Sequence, residues 1–174
     1  MSRNVEIKAK VDDHQSLVEK AANISGTQPV TLKQHDIFYN APEGRLKLRS
    51  VEEDGVARTE LIWYNRPDAT GPKVSDYSKF DVPSDIIEPL KGCLAGAMGT
   101  KGEVKKERKL VILDRTRIHI DRVEGLGDFM ELEVCLKPEE TPEEGDQTAK
   151  KIMEQLGIKE TDLLSGAYMD MLNK

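Results

Sequence analysis

The sequence Val123-Glu124-Gly125-Leu126-Gly127-Asp128-Phe129-Met130-Glu131-Leu132-Glu133-Val134-Cys135-Leu136 contains the clearest strand pattern in this chain. After the turn-forming Gly-Leu-Gly-Asp, apolar residues alternate with Glu131 and Glu133, as in a β-strand with one face on a core. The two carboxylates therefore project side by side, where they repel each other unless a cation lies between them. The pattern indicates either a site for a hard divalent cation or an exposed strand with an acidic face in water.

Length and composition exclude several classes of protein. The 174 residues are enough for one domain with a real core, and we expect a single domain over residues 1–174. A net charge of −6 argues against a general nucleic-acid binder. Cys93 and Cys135 lack metal-ligand spacing and suit a reducing compartment. No stretch approaches ~20 apolar residues and no signal-like run opens the chain, so we expect a cytoplasmic protein without a membrane partner.

A second strand pattern, Gly44-Arg45-Leu46-Lys47-Leu48-Arg49, carries basic residues. Arg45, Lys47 and Arg49 share one face, while the two leucines share the other. Three cations in a row repel one another, which favours an anion bound among them. A basic face exposed to water is the alternative interpretation.

The same separation of charged and aliphatic faces recurs in most of the candidate strands. Such strands are predicted near residues 5–11, 31–39, 45–49, 60–64, 76–82, 104–113, 116–121 and 129–136, and helices near 13–23, 86–98, 142–156 and 160–171. A closed antiparallel eight-stranded β-barrel would explain the pattern, with charges in its interior and helices packed on its apolar exterior. The fold class predicted is therefore α+β.

Four segments in this order resemble the CYTH domain family, also called triphosphate tunnel metalloenzymes. The segments are Asn4–Lys8, Arg45–Arg49, Thr116–Asp121 and Phe129–Glu133. The segment Leu61–Lys73 is most similar to the class IV adenylate cyclase branch of this family. The family also includes thiamine triphosphatase and inorganic tripolyphosphatases.

The resemblance implies an eight-stranded tunnel, a triphosphate substrate and a divalent metal, Mg²⁺ or Mn²⁺. It implies metal ligation by Glu6, Glu131 and Glu133, and adds Lys8 and Asp121, near the metal, as catalytic residues. The residues implied to hold phosphates are Lys8, Lys10, Lys47, Arg49, Lys106, Arg108 and Arg117. Arg45 shares their face and is expected at the tunnel mouth.

The sequence departs from the family pattern at three places. Asn4 replaces the first carboxylate of the opening motif. Tyr64 replaces a lysine at the end of the fourth strand, with Arg66 and Lys73 as possible substitutes in phosphate binding. The next strand carries only Asp81 where an acidic pair is expected. Each departure bears on whether the family's two-metal hydrolytic mechanism transfers to this chain.

Single residues outside these motifs have more than one interpretation. His119 could act as a proton shuttle, although a hydrogen-bonded structural histidine between Arg117 and Asp121 is the simpler interpretation. Asp36 is interpreted as a strand-end or turn residue. Trp63 is assigned to the outer face of its strand.

Three functions remain compatible with the sequence. The first is hydrolysis of inorganic tripolyphosphate or an organic triphosphate. The second is adenylate cyclase activity, which needs a purine pocket that the sequence does not identify, so that adenosine is expected to add little to binding. The third is a polyphosphate- or nucleotide-binding module that has lost catalysis. A triphosphate-containing small molecule is the expected partner in each case, with the protein a monomer or a homodimer.

Overall fold

The computed structural model describes residues 2–173. This part of the chain contains eight strands: β1 Ser2–Lys10, β2 Val30–Tyr39, β3 Arg45–Glu53, β4 Val56–Asn65, β5 Lys73–Asp81, β6 Thr100–Leu113, β7 Thr116–Val123 and β8 Gly127–Cys135. Its α-helices are α1 His14–Ser25, α2 Ile87–Met98, α3 Pro142–Leu156 and α4 Tyr168–Leu172. Short 3₁₀ turns cover Ser84–Ile86 and Glu160–Asp162.

The eight strands form a closed antiparallel barrel, as the sequence predicted. Their spatial order is β1-β5-β4-β3-β2-β6-β7-β8, and pairing of β8 with β1 closes the ring. Closure pairs the strand edges that would otherwise be open to other chains. None of the helices within residues 2–173 is both long and apolar enough to cross a membrane.

Alternation along each strand separates the two faces of the barrel. Ile7 on β1, Ile118 and Ile120 on β7, and Met130 and Leu132 on β8 point outward and are fully buried under helices α1 and α3. The residues between them point into the barrel. A period of two on a closed sheet therefore places the aliphatic residues under the helices and the charged residues in the lumen.

The covering helices begin and end where the sequence carries capping residues. The Asp13 carboxylate accepts a hydrogen bond from the Ser16 N–H at the start of α1. Thr141 and Glu144 form a reciprocal capping box at the start of α3. Such caps satisfy backbone N–H groups that have no partner within the helix. Helix α2 packs separately, against the outer face of β2, β3 and β4.

The predicted helix over 160–171 is wrong. The segment instead holds the 3₁₀ turn Glu160–Asp162, an extended stretch, and the short helix α4. The extended stretch pairs with β1, since the Leu164 N–H donates to the Lys8 carbonyl at 2.9 Å and Ala9 forms a bridge with Leu163. Gly166 then turns the chain with φ of 82°. A helical pattern in sequence cannot reveal this pairing with a distant strand.

The C-terminal segment closes one end of the barrel. Tyr168 and Met169 pack with Phe38, Val104 and Phe129, which point inward at that end, and all five are buried. We call this the closed end. The opposite end, where Arg58 and Lys79 are each about half exposed, is called the open end.

Candidate active site

The barrel encloses a cavity of about 230 Å³ whose lining is predominantly charged. Within residues 2–173, nine cationic and five acidic side chains line it, so the lining carries a positive excess suited to an anion. The residues predicted from the sequence that line the cavity are Glu6, Lys8, Lys47, Arg49, Arg66, Lys106, Arg108, Arg117, Glu131 and Glu133.

Four predicted site residues do not line the cavity. Lys10 is exposed at the end of β1, beyond the point where the C-terminal segment pairs with Lys8 and Ala9. Arg45 lies at the closed end and binds Asp170 at 2.7 Å and Asp68 at 3.1 Å. Lys73 is buried and donates to the Ala69 carbonyl at 2.7 Å. These three were expected to bind phosphate. Arg45 and Lys73 instead bind groups of neighbouring segments, and Lys10 lies outside the cavity.

Asp121, the fourth of these residues, lies behind the cavity wall. It is fully buried and accepts two hydrogen bonds of 2.7 Å from Arg108, with which it pairs across β6 and β7. The Tyr168 hydroxyl donates a third at 2.9 Å. Burial alone would raise the pKa of Asp121, but the Arg108 guanidinium outweighs it and holds that pKa below its usual value. Asp121 therefore fixes the orientation of Arg108.

Asp36 on β2 holds Arg49 as Asp121 holds Arg108, and its interpretation as a strand-end or turn residue is wrong. It is almost completely buried, lines the cavity and receives two hydrogen bonds from Arg49, at 2.7 and 2.8 Å. Lys47 and Lys106 approach the same carboxylate to 3.5 and 3.9 Å. Burial would raise its pKa, but these cations hold the pKa well below the usual range. Alternation from Phe38 places Asp36 on the inner face.

Three carboxylates cluster on β1 and β8. Register places Glu6 directly opposite Glu133 and Lys8 opposite Glu131. Burial, opposed by Arg66 but reinforced by Glu133, raises the pKa of Glu6. Like charges held this close in a buried place repel, and an added cation would relieve that repulsion.

The chemistry of this cluster fits a hard divalent cation, because carboxylate oxygens are the ligands that Mg²⁺ and Mn²⁺ prefer. In the arrangement described for residues 2–173, however, no three acidic, histidine or cysteine side chains are grouped closely enough to hold a metal. Glu6 pairs with Arg66 at 2.7 Å, Glu131 with Lys8 at 3.3 Å, and Glu133 accepts from Asn4. Basic and amide groups of the chain therefore neutralise or bind each carboxylate.

His119 lies within the lumen and is not the hydrogen-bonded structural histidine that the sequence favoured. Its ring nitrogens are buried and have no hydrogen-bond partner among the described residues. They lie 3.9 Å from Glu131 and Glu133, which is beyond hydrogen-bond distance. Burial and the nearby Arg108 lower its pKa, so the imidazole is neutral at neutral pH.

Burial also lowers the pKa of two lysines of the lumen, Lys47 and Lys106. The pKa of Lys47 is lowered to about 8 by burial and by the neighbouring Arg49. Burial, with Arg108 and Arg49 adding to it, lowers the pKa of Lys106 well below its ordinary value. Buried ammonium groups crowded by guanidinium groups lose stabilisation by water, and a bound polyanion would restore it.

Sequence reasoning missed several lining residues. Arg58 and Glu60 continue the alternation of β4 and could have been found by extending that strand. Gln34 likewise follows from the period of β2. Tyr168 carries no such signal, because only the course of the C-terminal segment brings it to Asp121 and places its ring 4.1 Å from Lys8.

A closed antiparallel barrel with a charged lumen defines a class of tunnel-shaped proteins. Comparison with known protein families places this chain in that class. The CYTH domain model matches residues 2–168, and the chain belongs to the CYTH domain family. A protein of Methanocaldococcus jannaschii named "Putative adenylate cyclase MJ0240" is 26% identical, with 96% of this chain and 97% of that protein covered.

Solved structures share the fold. The PH1819 protein of Pyrococcus horikoshii OT3 is 19% identical with a TM-score of 0.80, covering 98% of each chain. HpAC1 of Hippeastrum, described as a putative adenylyl cyclase with a dominant triphosphatase activity, is 14% identical with a TM-score of 0.64. That alignment covers 99% of this chain and 94% of the other. These likenesses agree with the tunnel fold.

Proposed function

We propose that this protein is a metal-dependent enzyme that hydrolyses a triphosphate, either inorganic tripolyphosphate or an organic triphosphate, within the barrel lumen. The observation that carries the proposal is the grouping of Lys47, Arg49 and Arg108 around one cavity that also contains the carboxylates of β1 and β8. Because phosphoryl transfer depends chiefly on positioning and on electrostatic stabilisation, such a lining supplies what the reaction requires.

Two of the arginines that line the lumen, Arg49 and Arg108, are prepared for this role by the pairs described above. Arg49 is held by Asp36 and Arg108 by Asp121, in each case through Nε and Nη2. Each guanidinium is thereby fixed before a ligand arrives, with its Nη1 group outside the carboxylate pair. A fixed guanidinium loses little conformational entropy when it binds phosphate oxygens, and it needs no reorganisation during the reaction.

Glu6, Glu131 and Glu133 would hold Mg²⁺ or Mn²⁺, which when bound supplies polarisation of phosphoryl oxygens. Lys8 and Arg66, which neutralise two of these carboxylates, would then be available to phosphate oxygens. Asn4 donates to Glu133 at 2.8 Å and orients it, but an amide adds no negative charge. We therefore expect one metal ion to be held more strongly than a second.

Adenylate cyclase activity is the second candidate, because the Methanocaldococcus relative is named an adenylate cyclase. In that reaction the ribose 3′-hydroxyl attacks the α-phosphate and pyrophosphate leaves. A binding module without catalysis is the third, supported by the amide of Asn4 in place of a carboxylate.

Product analysis distinguishes these candidates. Tripolyphosphate and ATP are incubated with the protein and Mg²⁺ or Mn²⁺, and orthophosphate, pyrophosphate and cyclic AMP are quantified from matched reactions. We expect orthophosphate from tripolyphosphate and little cyclic AMP from ATP. Glu131→Gln should abolish turnover while the protein stays folded, because it removes an anionic ligand together with the repulsion between carboxylates. Cyclic AMP as the main product would favour the cyclase, and no turnover of either substrate would favour the binding module.

A further inference from the structure

The lining of the lumen changes from charged to aliphatic toward the open end on three neighbouring strands, β3, β2 and β6. On β3, Lys47 and Arg49 are followed inside the barrel by Val51. On β6, Lys106 and Arg108 are followed by Leu110 and Ile112. The inward positions of β2 change in the same direction. We call the resulting surface the aliphatic wall, formed by Val30, Leu32, Val51, Leu110 and Ile112.

Part of the aliphatic wall is a buried cluster, and part is open to solvent at the ends of β2 and β6. Leu32, Val51 and Leu110 pack together as one buried cluster. Val30 pairs with Leu110 across β2 and β6. Val30 remains 39% exposed and Ile112 50% exposed. Apolar side chains left in contact with water at the mouth of a charged lumen are stabilised when an apolar group covers them.

Cations border this wall on the strands next to it. Arg58 is the cross-strand partner of Val51, and Arg117 is the cross-strand partner of Ile112. Lys79 lies further along the same polar side. A ligand that contacts both these cations and the aliphatic wall carries negative charge and an apolar group in one molecule.

The order of the charged lining and the aliphatic wall along the lumen determines which end of such a ligand enters first. The closed end is filled by Tyr168, Met169 and Phe129, so the open end is the entrance. Arg49 and Arg108 lie deeper than Val51 and Leu110 on the same strands. A ligand entering with its phosphates first would leave its organic group beside the wall.

We propose that the aliphatic wall is a subsite for the organic group of an organic triphosphate, taking a flat ring or an aliphatic chain joined to the phosphates held deeper in the lumen. This inference rests on the proposed function and narrows its substrate class from any triphosphate to an organic one. It also replaces the expectation that adenosine adds little to binding, which took no account of the aliphatic residues of β2, β3 and β6. Inorganic tripolyphosphate has no group that would contact the wall.

The test measures binding without turnover. Dissociation constants for ATP and for inorganic tripolyphosphate are determined by calorimetry in the presence of EDTA, for the wild type and for the double variant Val30→Ser/Ile112→Ser. Both residues are partly exposed, so their replacement should leave the fold intact. We expect the dissociation constant of ATP to rise about tenfold, and that of tripolyphosphate to stay within twofold. A single Ile112→Ser variant should show a smaller loss in the same direction.

Phe80→Ser is the matched control, because Phe80 is 58% exposed and points outward from β5. It should change neither constant. Equal weakening of both ligands by the double variant, or unchanged ATP binding, would overturn the subsite. Failure of the proposed function would give a different result. The double variant would still weaken the binding of ATP more than that of tripolyphosphate, but neither ligand would be hydrolysed when Mg²⁺ or Mn²⁺ is supplied.

Discussion

At the scale of single residues, the lumen is built from charges that hold one another in place. Two buried pairs, Asp36 with Arg49 and Asp121 with Arg108, have the same bidentate geometry. They differ in what remains when the arginine is removed. Asp36 keeps Lys47 and Lys106 within 4 Å, whereas Asp121 keeps the Tyr168 hydroxyl as its hydrogen-bond donor.

This difference predicts unequal effects of the two alanine variants. Arg49→Ala and Arg108→Ala should each weaken tripolyphosphate binding by about 1.5–3 kcal/mol, since charge-assisted hydrogen bonds to phosphate are lost. Arg108→Ala should in addition destabilise the fold by about 3–5 kcal/mol, because it leaves Asp121 buried without a cation. Calorimetry and urea unfolding measure the two quantities. Equal stability of both variants would contradict the role given to Asp121.

The lowered pKa of Lys47, about 8, predicts a pH dependence of binding. Below pH 7 its amine is already charged, and a bound polyanion raises its pKa further. Above pH 8 the free protein must take up a proton on binding, so affinity falls as pH rises through 8. Lys47→Arg should remove this component, because a guanidinium stays charged. The affinities of the two proteins are compared from pH 6.5 to 9.5, because the ionisation of the ligand affects both equally and cancels in the difference. Parallel plots of affinity against pH would contradict the role given to Lys47.

At the scale of elements, the close approach of α3 to the barrel depends on Gly145. A Cβ atom built there would lie 2.5 Å from Leu136 and 2.6 Å from Val5. Gly145→Ala should therefore destabilise the protein by about 1–3 kcal/mol, although alanine is the better helix former. Gly92 of α2 is the matched control, since nothing lies within 4 Å of its added Cβ, and Gly92→Ala should stabilise by about 0.5–1 kcal/mol. Denaturant unfolding gives both values, and stabilisation by both would refute the close packing.

At the scale of the whole molecule, the barrel holds an excess of positive charge in an enclosed space. A bound polyanion relieves this repulsion and binds only the folded protein, so tripolyphosphate should raise the thermal midpoint. At 100 times its dissociation constant, ligand binding stabilises by about 2.7 kcal/mol. Sulfate at the same ionic strength should give a much smaller shift, because it has a single anionic group. Equal shifts from the two anions would indicate screening rather than a site.

Local sequence pattern predicted the strands of the barrel and the charged composition of its interior. A period of two places Glu131 and Glu133 on one face of β8 and Lys47 and Arg49 on one face of β3, whatever the partner strands are. Because the opposite faces are aliphatic and need cover, closure with helices outside follows from local pattern and burial. The residues that cap α3 also form a local pattern, because Thr141 and Glu144 are only three positions apart. The predicted bounds of this helix agree with the structure.

Tertiary structure alone decided which inward residues share the cavity and which lie outside it. The pairing of Leu164 with Lys8 brings Tyr168 over one end of the barrel, and no local pattern near residue 168 encodes that contact. The same crossing leaves Lys10 outside the cavity. Strand register then determines whether a charge meets an opposite partner, as Arg108 meets Asp121, or a like charge, as Glu6 meets Glu133. Periodicity specifies a side chain's face, but its neighbours depend on contacts between residues far apart in the chain.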